Sequence, residues 1–225
     1  MNNPLTYIDP TGMSAESVQD DYTFDENTGT FTLVPDTESD TDRVVTLNDD
    51  GTTDKVLEKG IAKGFIHPKR NFKTKNNPYN VNGDGEPSLA DFDHFQEVMS
   101  RLTKVESSSF GLGFETIHND KKGNEIVEQN IQAVRLNKYE GNTDIEATSF
   151  VKTKYDTERI SKGGELLVLN YLTATHTHRI SSKHRAGTND VWGPSEIDRK
   201  ASRKQTGLIQ YIISGGYKQK FKISD

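Results

Sequence analysis

Glu165-Leu166-Leu167-Val168-Leu169-Asn170-Tyr171-Leu172-Thr173-Ala174-Thr175-His176-Thr177-His178 is the stretch on which fold and chemistry both turn. Its first eight residues are the most apolar run in the chain, and a buried strand or a short helix would each explain them. Its last six alternate β-favouring threonine with other residues, as a strand running to an edge does. Side chains two apart on a strand share a face. His176 and His178 therefore point the same way there, and two imidazoles so placed can grip one metal ion. The bland reading of a lone His-x-His is ordinary surface or loop chemistry.

Downstream, Pro194 precedes Ser195-Glu196-Ile197-Asp198. Ser195 as N-cap and Asp198 at the third helical position form a capping box, which predicts a short helix to Arg203. The Asp198 carboxylate is also a candidate third metal ligand. Two histidines and one carboxylate leave the fourth zinc position open for water, as catalytic sites require. Leu208–Ile213 reads as a strand, Ser214-Gly215-Gly216 as a hairpin turn, and Tyr217–Ile223 as the returning strand.

Upstream, Ser88–Lys104 is the strongest helix signal. Ser88 fits an N-cap with Asp91 at the third position. Leu89, Phe92, Phe95, Val98, Met99 and Leu102 form one apolar stripe. Glu106 follows directly and is the candidate general base; Glu115 is a weaker one. Short β-prone runs lie at Phe110–Ile117, Ile126–Leu136 and Ala147–Lys154. A helix, several strands, a short helix and a terminal hairpin indicate α+β or α/β architecture with one mixed sheet.

Composition narrows the classes. The 225 residues carry 34 carboxylates against 28 Lys and Arg, and only 31% are apolar, with a mean hydropathy of −0.79. So low an apolar content predicts that part of the chain is linker or shallow structure. No apolar run approaches a membrane span. The N-terminus lacks the basic start and apolar core of a signal peptide. There is no cysteine, which excludes disulfides, thiol nucleophiles and Cys-ligated zinc.

Charge is uneven: residues 1–60 carry 14 carboxylates against 3 basic residues, and residues 61–225 carry 20 against 25. The acidic stretch 14–60 is expected to be a low-order lead-in of small hairpins, with strands at Phe31–Val34 and Val44–Leu47. A solvated linker is the bland alternative. Residues 61–87, rich in Asn, Pro, Gly and Lys, read as loop. The second part is too weakly basic to argue for nucleic acid.

The order helix, Glu106, strands, His176-x-His178, Ser195-x-x-Asp198, helix, hairpin resembles the JAB/MPN (JAMM) metallopeptidase family over residues 88–225. The resemblance implies an α+β domain, a mixed β-sheet flanked by helices, with His176, His178 and Asp198 as zinc ligands. It implies Glu106 as the base that takes the proton of water, and Ser195 as the group that helps hold water and oxyanion. The implied substrate is a protein or peptide, cleaved at a peptide or isopeptide bond. Two departures stand out. Arg179 follows the second histidine where the family usually has proline, and 16 residues separate His178 from Ser195.

Asn3-Pro4-Leu5-Thr6-Tyr7-Ile8-Asp9-Pro10-Thr11-Gly12-Met13 resembles the motif that closes the shell of Rhs polymorphic toxins. That resemblance implies that a secreted or delivered bacterial effector follows, with a cognate immunity protein as partner. The alternatives to a peptidase are an inactive JAB-like protein-binding module and a metal-dependent nuclease.

Asn80, Asn82, Asp84, Glu86, Ser88 and Asp91 fall at positions 1, 3, 5, 7, 9 and 12 of a calcium-loop pattern, with Gly85 at 6. They resemble half a dockerin repeat and would bind a structural calcium ion. An Asn/Gly turn capping the helix is the plainer account. His67, His94 and His118 have no partner at ligand spacing. His184 and Asp190 could serve as ligands under another register.

Overall fold

The computed structural model describes residues 20–35, 41–139, 152–178 and 196–221. Within them, Tyr22 and Phe31 alternate with polar neighbours, the pattern of half-buried strands, and Val44 and Ile61 are fully buried. Their strands form a four-stranded sheet in the order β2-β1-β3-β4, with β1 Asp21–Asp25, β2 Thr30–Leu33, β3 Asp42–Leu47 and β4 Thr53–Ile61. β1–β2 and β3–β4 are antiparallel hairpins, and a parallel β1–β3 pair joins them.

The expected low-order lead-in is thus corrected for these residues. The hairpins exist, but they are ordered, because their few apolar side chains pack on partners distant in sequence. Phe31 meets Phe72 edge-on at 5.4 Å. Phe65 stacks on Phe95 at 5.2 Å and meets Tyr79 at 5.4 Å. One buried cluster therefore contains Phe31, Val44 and Ile61 of the first sheet together with Phe92, Phe95, Val98 and Met99. The segment 61–87 is mostly loop, as its composition predicts, yet it supplies the aromatic anchors Phe65, Phe72 and Tyr79.

The second sheet has the order β11-β10-β9-β6-β7-β5, with β8 also paired to β9. Its strands are β5 Asn77–Asn80, β6 Ser108–Asn119, β7 Glu125–Leu136, β8 Thr157–Lys162, β9 Glu165–Thr177, β10 Ile209–Ser214 and β11 Tyr217–Phe221. The predicted helix is α1, Leu89–Thr103, with the Ser88/Asp91 capping box formed. A second helix, α2, spans Glu196–Lys204. The described residues are mostly strand, with one substantial helix. The architecture is α+β in the broad sense but helix-poor, with two mixed sheets rather than the single one expected.

The ambiguous run Glu165–Leu172 is strand. It is only partly buried: Leu169 and Tyr171 are in the core, while Leu166 and Val168 are exposed. The expected strand Ala147–Lys154 falls largely outside the described residues; β8 begins at Thr157. Gly215 and Gly216 both have positive φ, 59° and 81°, which a two-residue turn between Ser214 and Tyr217 requires.

α1 covers one face of the second sheet through a polar pin as well as its apolar stripe. Gln96 is fully buried. Its amide donates to the Ser107 and Thr175 carbonyls at 3.1 and 3.4 Å and accepts from Ser109 Oγ at 2.7 Å. Ser107 Oγ donates to the Gln96 carbonyl at 2.8 Å. Odd-numbered residues of this part of β6 thus face α1. Ser108 and Phe110 face the other way, towards a second core of Phe110, Leu112, Ala133, Leu169, Tyr171, Ala174 and Leu208.

Candidate metal centre

β9 lies between β6 and β10, and the register on both edges fixes what surrounds its histidines. Ser108 of β6 and Ile212 of β10 flank His176. One step on, the Thr177 N–H donates to the Ser107 carbonyl at 2.9 Å, and the Ser107 N–H donates to Thr177 Oγ1 at 2.8 Å. The His178 N–H donates to the Ile213 carbonyl at 2.8 Å. Continuing both ladders puts Glu106 on one side of His178 and Ser214 on the other. The face is the one away from α1, since Ser107 and Thr177 are buried towards that helix.

The two imidazoles converge as the spacing predicts. Their Nε2 atoms are 3.1 Å apart, and their ring centroids 5.0 Å. One ring can donate its Nε2–H to the other. Two nitrogens each about 2.1 Å from one tetrahedral zinc would be about 3.4 Å apart, so the donor pair fits such an ion with little movement. Among the described residues no three His, Asp or Glu side chains gather at ligand distance. By continuation of the ladder Glu106 lies beside the pair, but it is not gathered with it at ligand distance.

α2 lies between the parallel strands β9 and β10 in the chain. Ser202 Oγ lies 3.3 Å from Gln210 Oε1, and Gln210 is level with Ala174. The Asp198 side chain lies outside the described residues, as do Ser195, His184, Asp190 and residues 3–13.

The β10–β11 turn beside His178 is held by α1. Both oxygens of the buried Glu97 carboxylate accept the Gly216 N–H, at 3.1 and 3.0 Å. Lys218 is paired with Asp93 at 2.9 Å. Burial pushes the Asp93 carboxyl above its ordinary value, and the Lys218 charge works against that shift.

The calcium-loop positions have other partners. Asn80 Nδ2 donates to the Ser161 carbonyl at 3.1 Å. Asn82 has φ 58°; its amide donates to the Ile131 carbonyl at 3.0 Å, and its Oδ1 accepts the Leu89 N–H at 3.0 Å. Ser88 and Asp91 bond each other in the helix cap. Glu86 pairs with Lys162 at 3.0 Å. The Lys162 ammonium also donates to the Val81 carbonyl at 2.8 Å and to Gln132 Oε1 at 2.9 Å. A lysine cation thus sits against the turn. Asp84 is exposed.

The remaining candidates lie apart from the histidine pair. Glu115 is on the exposed arm of β6, where Gln129 Nε2 reaches it at 3.5 Å. His94 Nε2 is 3.3 Å from the Lys59 carbonyl, and His67 Nδ1 accepts the Lys69 N–H at 3.1 Å. Sequence reasoning missed the polar groups on the histidine face. Asn137 Nδ2 donates to Ser108 Oγ at 2.9 Å. Arg135 and Tyr171 both engage the Glu158 carboxylate. Their positions depend on strand register, for which spacing in the sequence carries no signal.

No protein-family model, no curated protein and no solved structure matches this chain.

Proposed function

We propose that residues 88–225 form a zinc-dependent peptidase or isopeptidase domain of JAB/MPN type, carried as the effector part of a delivered Rhs-type toxin. The observation that carries the reading is the convergence of His176 and His178 at the end of β9, with their Nε2 atoms 3.1 Å apart. The pair supports the reading because two imidazoles so placed offer two of the ligands that a metal-activated water needs.

In this reading His176 and His178 each offer Nε2 as a ligand, and Asp198 is the third. Zinc, when bound there, lowers the pKa of its water towards neutrality and polarises the scissile carbonyl. Glu106 takes the proton from water at its carboxylate and passes it to the leaving amine. Ser195 donates to the developing oxyanion. The delivered-effector part rests on residues 3–13, and a cognate immunity protein is the partner it implies.

Zinc content by elemental analysis tests the reading. About one zinc per chain is expected in wild type, with loss in His176→Ala/His178→Ala. Glu106→Gln should keep the metal and lose peptide hydrolysis. A folded wild type that takes up no zinc when supplied with it refutes the metal site. Metal binding with cleavage of DNA or RNA instead of peptides would make the domain a nuclease. Metal binding with no hydrolysis would make it a binding module.

A further inference from the structure

Three segments distant in sequence close on the Lys162 ammonium. It donates to the Val81 carbonyl at 2.8 Å, to the Gln132 carbonyl at 3.2 Å and to Gln132 Oε1 at 2.9 Å. Those contacts use all three of its hydrogens. A fourth oxygen, Glu86 Oε2, is buried 3.0 Å away and makes no hydrogen bond among the described residues; it is held by charge. Four oxygens around one nitrogen, one of them anionic, are the surroundings of a coordinated cation rather than of a surface ion pair. We propose that this turn is a monovalent-cation site whose resident cation is the side chain of Lys162. With the lysine removed, the same oxygens would take free ammonium or potassium, and not calcium.

The cage is built from contacts that do not involve the lysine. Gln132 Nε2 donates to Asn130 Oδ1, which turns Oε1 towards the site. The Val81 N–H donates to the Gln132 carbonyl at 3.1 Å, and Asn80 Nδ2 to the Ser161 carbonyl at 3.1 Å, so the ends of β5, β7 and β8 are joined around it. The Glu86 N–H closes a turn on the Gly83 carbonyl at 3.0 Å. A Cβ at position 83 would overlap the Glu86 carboxylate, so glycine there leaves the room that the fourth oxygen occupies. Oxygens 2.8 to 3.2 Å from the nitrogen suit an ammonium. Calcium takes about six to eight ligands at about 2.3–2.6 Å.

The experiment is thermal unfolding of the full chain, followed by circular dichroism in tetramethylammonium, ammonium, potassium and calcium chloride at equal ionic strength. Tetramethylammonium carries the charge, but it is too large for the cage and has no N–H. Each melting temperature is read against wild type in the same salt, which cancels general salt effects. Lys162→Ala should melt at least about 5 °C below wild type in tetramethylammonium, because the Glu86 carboxylate loses its partner. Ammonium or potassium should restore at least about half of that loss, by binding only the folded state. Calcium should restore none of it. In Lys162→Ala/Glu86→Gln the restoration should disappear, since the neutral cage has no charge to balance.

A Lys162→Ala variant that melts with wild type overturns the proposal, because the lysine would then be an ordinary surface charge. A loss that neither ammonium nor potassium restores also overturns it, since the oxygens would not form a site without the lysine; a variant unfolded in every salt counts as that result. Restoration by calcium alone would make the turn a divalent site, and equal restoration in the double variant would place the bound cation elsewhere. Either result overturns the proposal.

Discussion

Asp42→Asn should stabilise this protein at neutral pH and leave it almost unchanged at pH 4. Asp42 begins β3 and is 4% exposed. Burial is the main cause that pushes its carboxyl up to about 6; the Asp20 charge adds to the shift, and the Asp20 N–H and the Lys63 charge oppose it. The unfolded chain ionises Asp42 near its ordinary value of 3.8. Between the two values the unfolded state has lost a proton that the folded state keeps. Stability therefore falls as pH rises through about 4 to 6 and stays reduced above that window.

A shift of about two units corresponds to a ceiling of about 3 kcal/mol. The Asp20 N–H and the Lys63 charge favour the ionised form and are lost to the amide in part, so ~1–2 kcal/mol is the expected gain for the neutral amide at pH 7. The amide oxygen can still accept the Asp20 N–H, which bonds Asp42 Oδ1 at 3.3 Å. Urea unfolding of wild type and variant at pH 4 and pH 7 measures the difference. An equal effect at both pH values, or none, refutes the argument. It would mean that Asp42 is solvated and that the acidic first sheet is not packed as described.

Phe95→Ala should cost about 3–5 kcal/mol, because Phe95 lies within the cluster that joins both sheets. Unfolding should remain one transition at a lower temperature, whereas two separate transitions would show that the sheets fold independently. Ser88→Ala removes the α1 capping box and should cost about 0.5–2 kcal/mol by chemical denaturation. Calcium at millimolar concentration should leave the melting temperature unchanged, since Asn80, Asn82 and Glu86 already have partners and Lys162 stands against the turn. A calcium-dependent rise would establish the loop as a cation site.

Much of the second sheet was legible because its signals are local. The α1 stripe and its Ser88/Asp91 cap, the Gly215-Gly216 turn, and the runs that became β6, β7, β9 and β10 all follow from periodicity and turn chemistry. The first sheet was misjudged for a physical reason. Its apolar residues are few, and their burial depends on Phe65, Phe72 and Phe95, which no local window contains. A low apolar average in residues 14–60 therefore said little about order. The calcium pattern shows a similar limit of local reading, since spacing matches oxygens to positions but does not show which partners hydrogen-bond them.

By itself, the sequence determined that His176 and His178 share a face, because side-chain alternation along a strand is a property of the backbone. It determined as well that a carboxylate, Glu106, follows the long helix. Only the tertiary structure decided what flanks the pair. Pairing of β6 with β9 sets Ser108 on one side of His176, and the parallel β9–β10 pair sets Ile212 on its other side. Register is fixed by the hydrophobic contacts and hydrogen bonds of the whole sheet, and a slip of one residue would turn every one of these groups to the opposite face.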